Sequence, residues 1–174
     1  MKLGIAVPCY SGHIDKLWVL LDALNNQTLL PTKVVVSCSS TKSITAPTTY
    51  KYELLIVVSQ SYKNASQNRN IAVYLLKDMD YISFIDADDI PHYQRNETLA
   101  GVIAIYGSDI ILHNYMTSPE KLARPMTKFE CNTKTLERSP YGHIKHIKPD
   151  KNINNKIHHS QANVKKSITD YCSI

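Results

Sequence analysis

The densest chemistry in this sequence lies at Asp86-Ala87-Asp88-Asp89, where three carboxylates fall within four positions. They directly follow Tyr81-Ile82-Ser83-Phe84-Ile85, a run with the aromatic and β-branched content of a buried strand. Carboxylates held this close repel one another, and the end of a buried strand offers little water to screen them. A hard divalent cation removes the conflict, because carboxylate oxygens are its preferred ligands and substrate phosphates commonly complete its shell. The plainer alternative is capping, with Asp88 or Asp89 at the start of a helix near Pro91.

Three other apolar runs also end in polar residues. Pro8-Cys9-Tyr10-Ser11-Gly12 follows the first, Ser37-Cys38-Ser39-Ser40 the second, and Ser59-Gln60-Ser61 the third, leading on to Asn64 and Arg69. In an open α/β sheet, ligands bind outside the carboxyl ends of the strands. All four clusters would then share one edge. An aromatic such as Tyr10 at that edge can stack on a nucleobase.

The elements that would position these residues read as follows. Lys2–Val7 is a buried strand, and Ile14, Leu17, Trp18, Leu21 and Leu24 have helical spacing. Strands are expected at Lys33–Val36, Tyr52–Val58, Tyr81–Ile85 and Asp109–Leu112. Asn64 can cap a helix with Gln67 three residues on, and Leu99, Val102, Ile103 and Tyr106 mark a further helix. Strands alternating with helices mean βαβ units, so the expected fold class is α/β, Rossmann-type, with a mostly parallel sheet and flanking helices. Beyond Met116 the pattern dissolves into Pro119, Pro125, Pro140 and Pro149 among Lys and Asn. We expect residues 1–116 to form the ligand-binding half of a single domain. Residues 117–174 would be an irregular cover, with a short final helix at Asn163–Ile168.

Composition narrows the class. With 43% hydrophobic and 20% charged residues in 174, the chain is neither disordered nor collagen-like nor a disulfide scaffold. No run of about 18 apolar residues predicts a spanning helix. The N-terminal apolar run is too short for a signal peptide, and the cysteines (Cys9, Cys38, Cys131, Cys172) lack metal-site spacing, so a cytoplasmic location is expected. The abundance of Asn, Ile, Lys and Tyr fits a microbial or viral source. The net charge of +5 is unevenly spread. Residues 1–110 hold nine Lys/Arg against ten Asp/Glu, and residues 111–174 hold eleven against five. A basic segment folded over a diphosphate site accounts for this without nucleic acid.

Four stretches, in order, resemble the inverting GT-A glycosyltransferases of family 2. Ile5-Ala6-Val7-Pro8-Cys9-Tyr10 is similar to the family's opening strand, and Gln27-Thr28-Leu29-Leu30-Pro31 to its Q-T-x-x-P before the second strand. Asn64 to Asn70, with Arg69-Asn70, resembles its N-x-G…A-R-N helix start, and Tyr81 to Asp89 its Y-I-x-F-L-D-A-D-D. The resemblance implies a nucleotide-sugar donor (UDP-, GDP- or dTDP-linked), a glycan or glycoprotein acceptor, and Mn²⁺ or Mg²⁺. It places Pro8, Cys9 and Tyr10 at the nucleoside, with Asn64 at the start of the donor-side helix. Arg69 would approach the base or diphosphate, Asp86 and Ala87 the ribose, and Asp88 the metal, with Asp89 in support.

Two departures accompany the resemblance. The family's second strand usually ends in an Asp that reads the base, whereas this chain has Ser37 and Ser39 there, whose hydroxyls can bond a base less selectively. The family's general base lies in its second half, and Asp170 is the candidate here. Ile157 to Lys166 resembles the H-x-x-x-x-V-R-R segment of short members, which makes His159 a metal ligand and Lys165 a phosphate partner. Two other classes stay open: a nucleotide-sugar-binding domain without turnover, and a basic nucleic-acid-binding module.

Overall fold

The computed structural model describes residues 1–107, 110–112, 145–147 and 162–165. The elements in chain order are β1 (Leu3–Tyr10), a 3-10 turn (Ser11–His13), α1 (Ile14–Asn25), β2 (Lys33–Ser39), β3 (Glu53–Ser59), α2 (Ala65–Tyr74) and β4 (Tyr81–Phe84). Next come α3 (Arg95–Tyr106), β5 (Ile110–Leu112), β6 (Lys145–Ile147) and β7 (Ala162–Lys165). The strands form one sheet in the order β3-β2-β1-β4-β7-β5-β6. The first four are mutually parallel, as the alternation of elements predicts.

Period-two alternation sorts the side chains of β1 and β2 onto two covered faces. Ile5, Val7, Val34 and Val36 pack with Leu17, Leu20, Leu21 and Leu24 of α1. Ala6 and Val35 pack on the other face with Ala72 and Leu76, joined by Ile82 and Phe84 of β4. Both faces are buried, so these strands read as unbroken apolar runs. Each such Leu or Val stabilises the fold by roughly 1.5–3 kcal/mol through burial. α3 packs separately, through Leu99 and Val102, on Ile111 of β5.

The helix ends follow local chemistry. Asn64 accepts from the Gln67 N–H at 2.9 Å while the Gln67 side chain accepts from the Asn64 N–H at 3.0 Å, the capping box expected from the sequence. α3 stops at Gly107, whose left-handed backbone (φ 57°) lets its N–H reach the Ile103 carbonyl at 2.9 Å. β1 runs on through Pro8 to Tyr10. The Ala6 carbonyl accepts from Ile85, so residues of that parity face β4. β4 ends at Phe84, opposite Ala6, and the missing N–H of Pro8 therefore interrupts no ladder.

One expectation is overturned. Asn163–Ile168 was expected to form a helix, but Ala162–Lys165 is a strand that inserts antiparallel between β4 and β5. The outer edge of β4 carries backbone groups that need partners, and a segment with a thin apolar face has little to hold it as a helix instead. The strand order changes direction at β1: β2 and β3 lie on one side, β4 on the other. The crevice beyond the β1 and β4 carboxyl ends is where such sheets bind ligands.

Candidate active site

A cleft of about 350 Å³ opens at that crevice. Pro8, Cys9 and Tyr10 line it from the end of β1, and Asp86, Ala87 and Asp88 from beyond β4. The third wall is the approach to α2 and its first turns: Tyr62, Lys63, Asn64, Ala65, Asn68 and Arg69.

The acidic cluster is a tight turn, closed by the Asp89 N–H donating to the Asp86 carbonyl at 3.0 Å. Asp86 and Asp88 line the cleft with the buried Ala87 between them, while Asp89 does not line it. Asp89 instead acts on Arg95: burial pulls that guanidinium down to about 10, and the Asp89 carboxylate opposes the fall. Neither aspartate caps a helix at Pro91, because α3 begins only at Arg95 behind Gln94.

The loop carrying Gln27 fixes the segment after the turn. Gln27 is buried; its Nε2 donates to the His92 carbonyl at 2.8 Å and its Oε1 accepts from the Asn96 N–H at 3.1 Å. Asn96 returns a bond to the Leu29 carbonyl at 3.0 Å, and Thr28 donates to Glu97 at 2.8 Å. These bonds clamp the stretch between the acidic turn and α3 against the α1–β2 loop.

Arg69 Nη2 donates to Asp86 Oδ1 at 2.6 Å. Asp88 has looser company, with His13 Nδ1 and Lys16 Nζ each 3.8 Å away. Its side chain is 39% exposed, so these pairs hold it weakly and leave it open to the cleft. The Tyr10 ring lies 4.4 Å from that of His13. A Cβ on Gly12 would sit 2.5 Å from Tyr10 Cε2, so the ring can occupy this place only over a glycine.

A buried network ties the walls together. Asn68 donates to the Cys9 carbonyl at 3.2 Å, to Ser39 Oγ at 3.2 Å and to the Lys63 carbonyl at 3.3 Å. Its Oδ1 accepts from Ser37 Oγ at 2.9 Å, and Ser39 Oγ donates to the Lys63 carbonyl at 3.2 Å. Cys9 and Cys38 are paired across β1 and β2, and burial pushes both thiols up, away from the reactive thiolate.

Of the residues singled out in the sequence, Pro8, Cys9, Tyr10, Asn64, Arg69, Asp86, Ala87 and Asp88 meet in the cleft. Ser37 and Ser39 are buried behind it, their hydroxyls bonded inward. Lys165 lies on β7 opposite Tyr81, and His159 and Asp170 fall outside the described residues. His13, Lys63 and Asn68 escaped the sequence reading. Asn68 had a signal: with Ala72 and Leu76 it falls at i, i+4, i+8, a polar residue on an apolar helix stripe.

Among the described residues no group of three or more His, Cys, Asp or Glu side chains is placed to hold a metal. Asp88, with Asp86 beside it, nonetheless fits a hard cation whose remaining ligands come from a diphosphate. Mg²⁺ in particular is commonly held by one or two carboxylates plus substrate phosphates.

A parallel α/β sheet with an acidic turn at its switch point is the arrangement of the GT-A glycosyltransferase fold. Solved structures of S. aureus TarS share it. TarS 1-349 superposes with a TM-score of 0.64 at 15% identity over 98% of this chain and 49% of that one. The same protein in complex with UDP gives 0.60 at 17% identity, over the same shares. With UDP-GlcNAc bound it gives 0.57 at 19% identity, over 79% of this chain and 38% of that one. The glycosyl transferase family 2 profile matches residues 4–168, and the chain belongs to that family. The O-antigen chain rhamnosyltransferase RfbN of Salmonella typhimurium is 32% identical over 93 residues, 52% of this chain. The match covers 29% of that relative's length. Among the described residues no helix is long and apolar enough to cross a membrane.

Proposed function

We propose that this domain transfers a sugar from a nucleotide-sugar donor to an acceptor hydroxyl, with inversion and with Mg²⁺ or Mn²⁺ bound at Asp88. The observation that carries the reading is the turn that aims Asp86 and Asp88 into one cleft with Tyr10 and Arg69. Family membership supports a sugar-nucleotide donor, as do the UDP and UDP-GlcNAc complexes of TarS.

Each residue then has a task. Tyr10 offers its half-exposed ring to the base. Arg69 holds Asp86 oriented, and Asp86 keeps a second oxygen for the ribose. Lys16 brings positive charge beside Asp88, where the diphosphate would lie, and the His13 ring stands next to it. Bound at Asp88, the divalent ion supplies neutralisation of the departing diphosphate. The acceptor, a glycan or glycoprotein, gives up its hydroxyl proton to a carboxylate, for which Asp170 is the proposed base. His159 is proposed as a further partner of the metal, whereas Lys165, paired with Tyr81 at the amino end of β4, lies at the sheet end away from the cleft.

The test is nucleoside diphosphate release from UDP-, GDP- and dTDP-sugars, with glycan acceptors, with and without EDTA. Release that requires acceptor and metal, and that Asp88→Ala abolishes, is the expected result. Donor binding without release in the presence of acceptors would favour a binding domain instead.

A further inference from the structure

Discrimination between nucleobases comes from buried polar groups that pair with one base edge and are left unpaired by another. Among the described residues, the hydroxyl and amide groups buried behind this cleft are already occupied by one another and by the backbone. The hydroxyls of Ser37 and Ser39 donate to Asn68 and to the Lys63 carbonyl. Asn68 shares its amide hydrogens among Cys9, Ser39 and Lys63, while its oxygen takes the Ser37 hydrogen. The carbonyls of Cys9 and Lys63 are thereby engaged as well.

The same walls turn ring surface outward. Tyr10 is 45% and Tyr62 77% exposed, and both line the cleft, one from the end of β1 and the other from the approach to α2. Stacking accepts every base, since every base has a π-face.

We propose that the donor cleft holds its nucleobase by stacking on Tyr10 and Tyr62 without reading its pairing edge, and so accepts uridine, thymidine and guanosine diphosphates alike. The proposal rests on the donor-site reading above and specifies its substrate class.

The experiment is calorimetry with UDP, dTDP, GDP and inorganic pyrophosphate at one fixed Mg²⁺ concentration. The three nucleotides should bind within about tenfold of one another, and pyrophosphate at least about tenfold more weakly. Tyr62→Ala should weaken all three nucleotides by a similar factor and leave pyrophosphate unchanged. Ser39→Ala should leave the ratios among the three unchanged, which a hydroxyl that reads the base would not do. A spread wider than about tenfold, or altered ratios in Ser39→Ala, overturns the proposal while leaving the donor site in place. Pyrophosphate binding as tightly as UDP overturns the stacking. If no nucleotide binds, the donor-site reading falls and this inference with it.

Discussion

Arg69 and Asp86 meet at 2.6 Å across the cleft, and this one pair joins the first half of α2 to the chain just beyond β4. Their side chains are 12% and 27% exposed, so the bond is partly shielded from water and joins two elements that the strand ladders do not.

Replacing Arg69 by Met keeps the aliphatic stem and removes the guanidinium. Asp86 then loses its charged partner in a half-covered site. Unfolding free energy should fall by about 1–2 kcal/mol, after allowance for the solvent that still reaches the pair. Urea unfolding measures this, and an unchanged midpoint would show that Asp86 does not depend on Arg69.

Asp88→Ala should separate binding from folding. The side chain is exposed and its contacts with His13 and Lys16 are long, so the melting temperature should hardly move. Mn²⁺-dependent nucleotide-sugar affinity, read by calorimetry, should be lost. Undiminished affinity in this variant removes the metal from Asp88.

Gln27→Ala should be the more destabilising change despite its distance from the cleft. It leaves the buried Asn96 N–H without its partner and takes from the His92 carbonyl one of its two donors, the Arg95 N–H remaining at 2.9 Å. A loss of roughly 1–3 kcal/mol is expected. Proteolysis rates around residues 88–96 should rise in step with it. A variant as stable as the parent would mean that the clamp is dispensable.

Stability should decline in alkali, with a sign that follows from the thiols. Burial raises Cys9 and Cys38 above their ordinary 9.0, so the folded state keeps protons that the unfolded chain releases as pH passes that value. Protons bound in the folded state exceed those in the unfolded state, and unfolding free energy therefore falls as pH rises. About 1–3 kcal/mol should be lost between pH 8 and 10, measured by urea unfolding under reducing conditions. Cys38→Ala should flatten the slope. Tyr52, buried and donating to the Leu21 carbonyl, is raised in the same sense and adds its loss only above its ordinary 10.0.

The parallel half of the fold was legible because its signals are local. Apolar runs, the helical spacing from Ile14 to Leu24 and the Asn64–Gln67 box each fix an element within a few residues. The acidic turn was legible as a cluster, but its geometry was not. Which of Asp88 and Asp89 faces the cleft depends on the bond closing the turn and on Arg95. The serines failed for a related reason. Hydroxyls at a strand end look available until an asparagine from a helix 29 to 31 residues away takes them up. Residues 162–165 failed because a vacant strand edge, not their own pattern, decides their conformation.

β7 gives the sheet an order of assembly. Tyr81 pairs with Lys165, and Ile110 with Val164, so the last strand among the described residues fills a place between two made long before it. On a ribosome, the four parallel strands can form while one flank of β4 still lacks its neighbour. Until residues 162–165 emerge, that flank is free to recruit the wrong segment or another nascent chain. The slow, error-prone stage in assembling this sheet is therefore the one at which residues 162–165 must slot between β4 and β5.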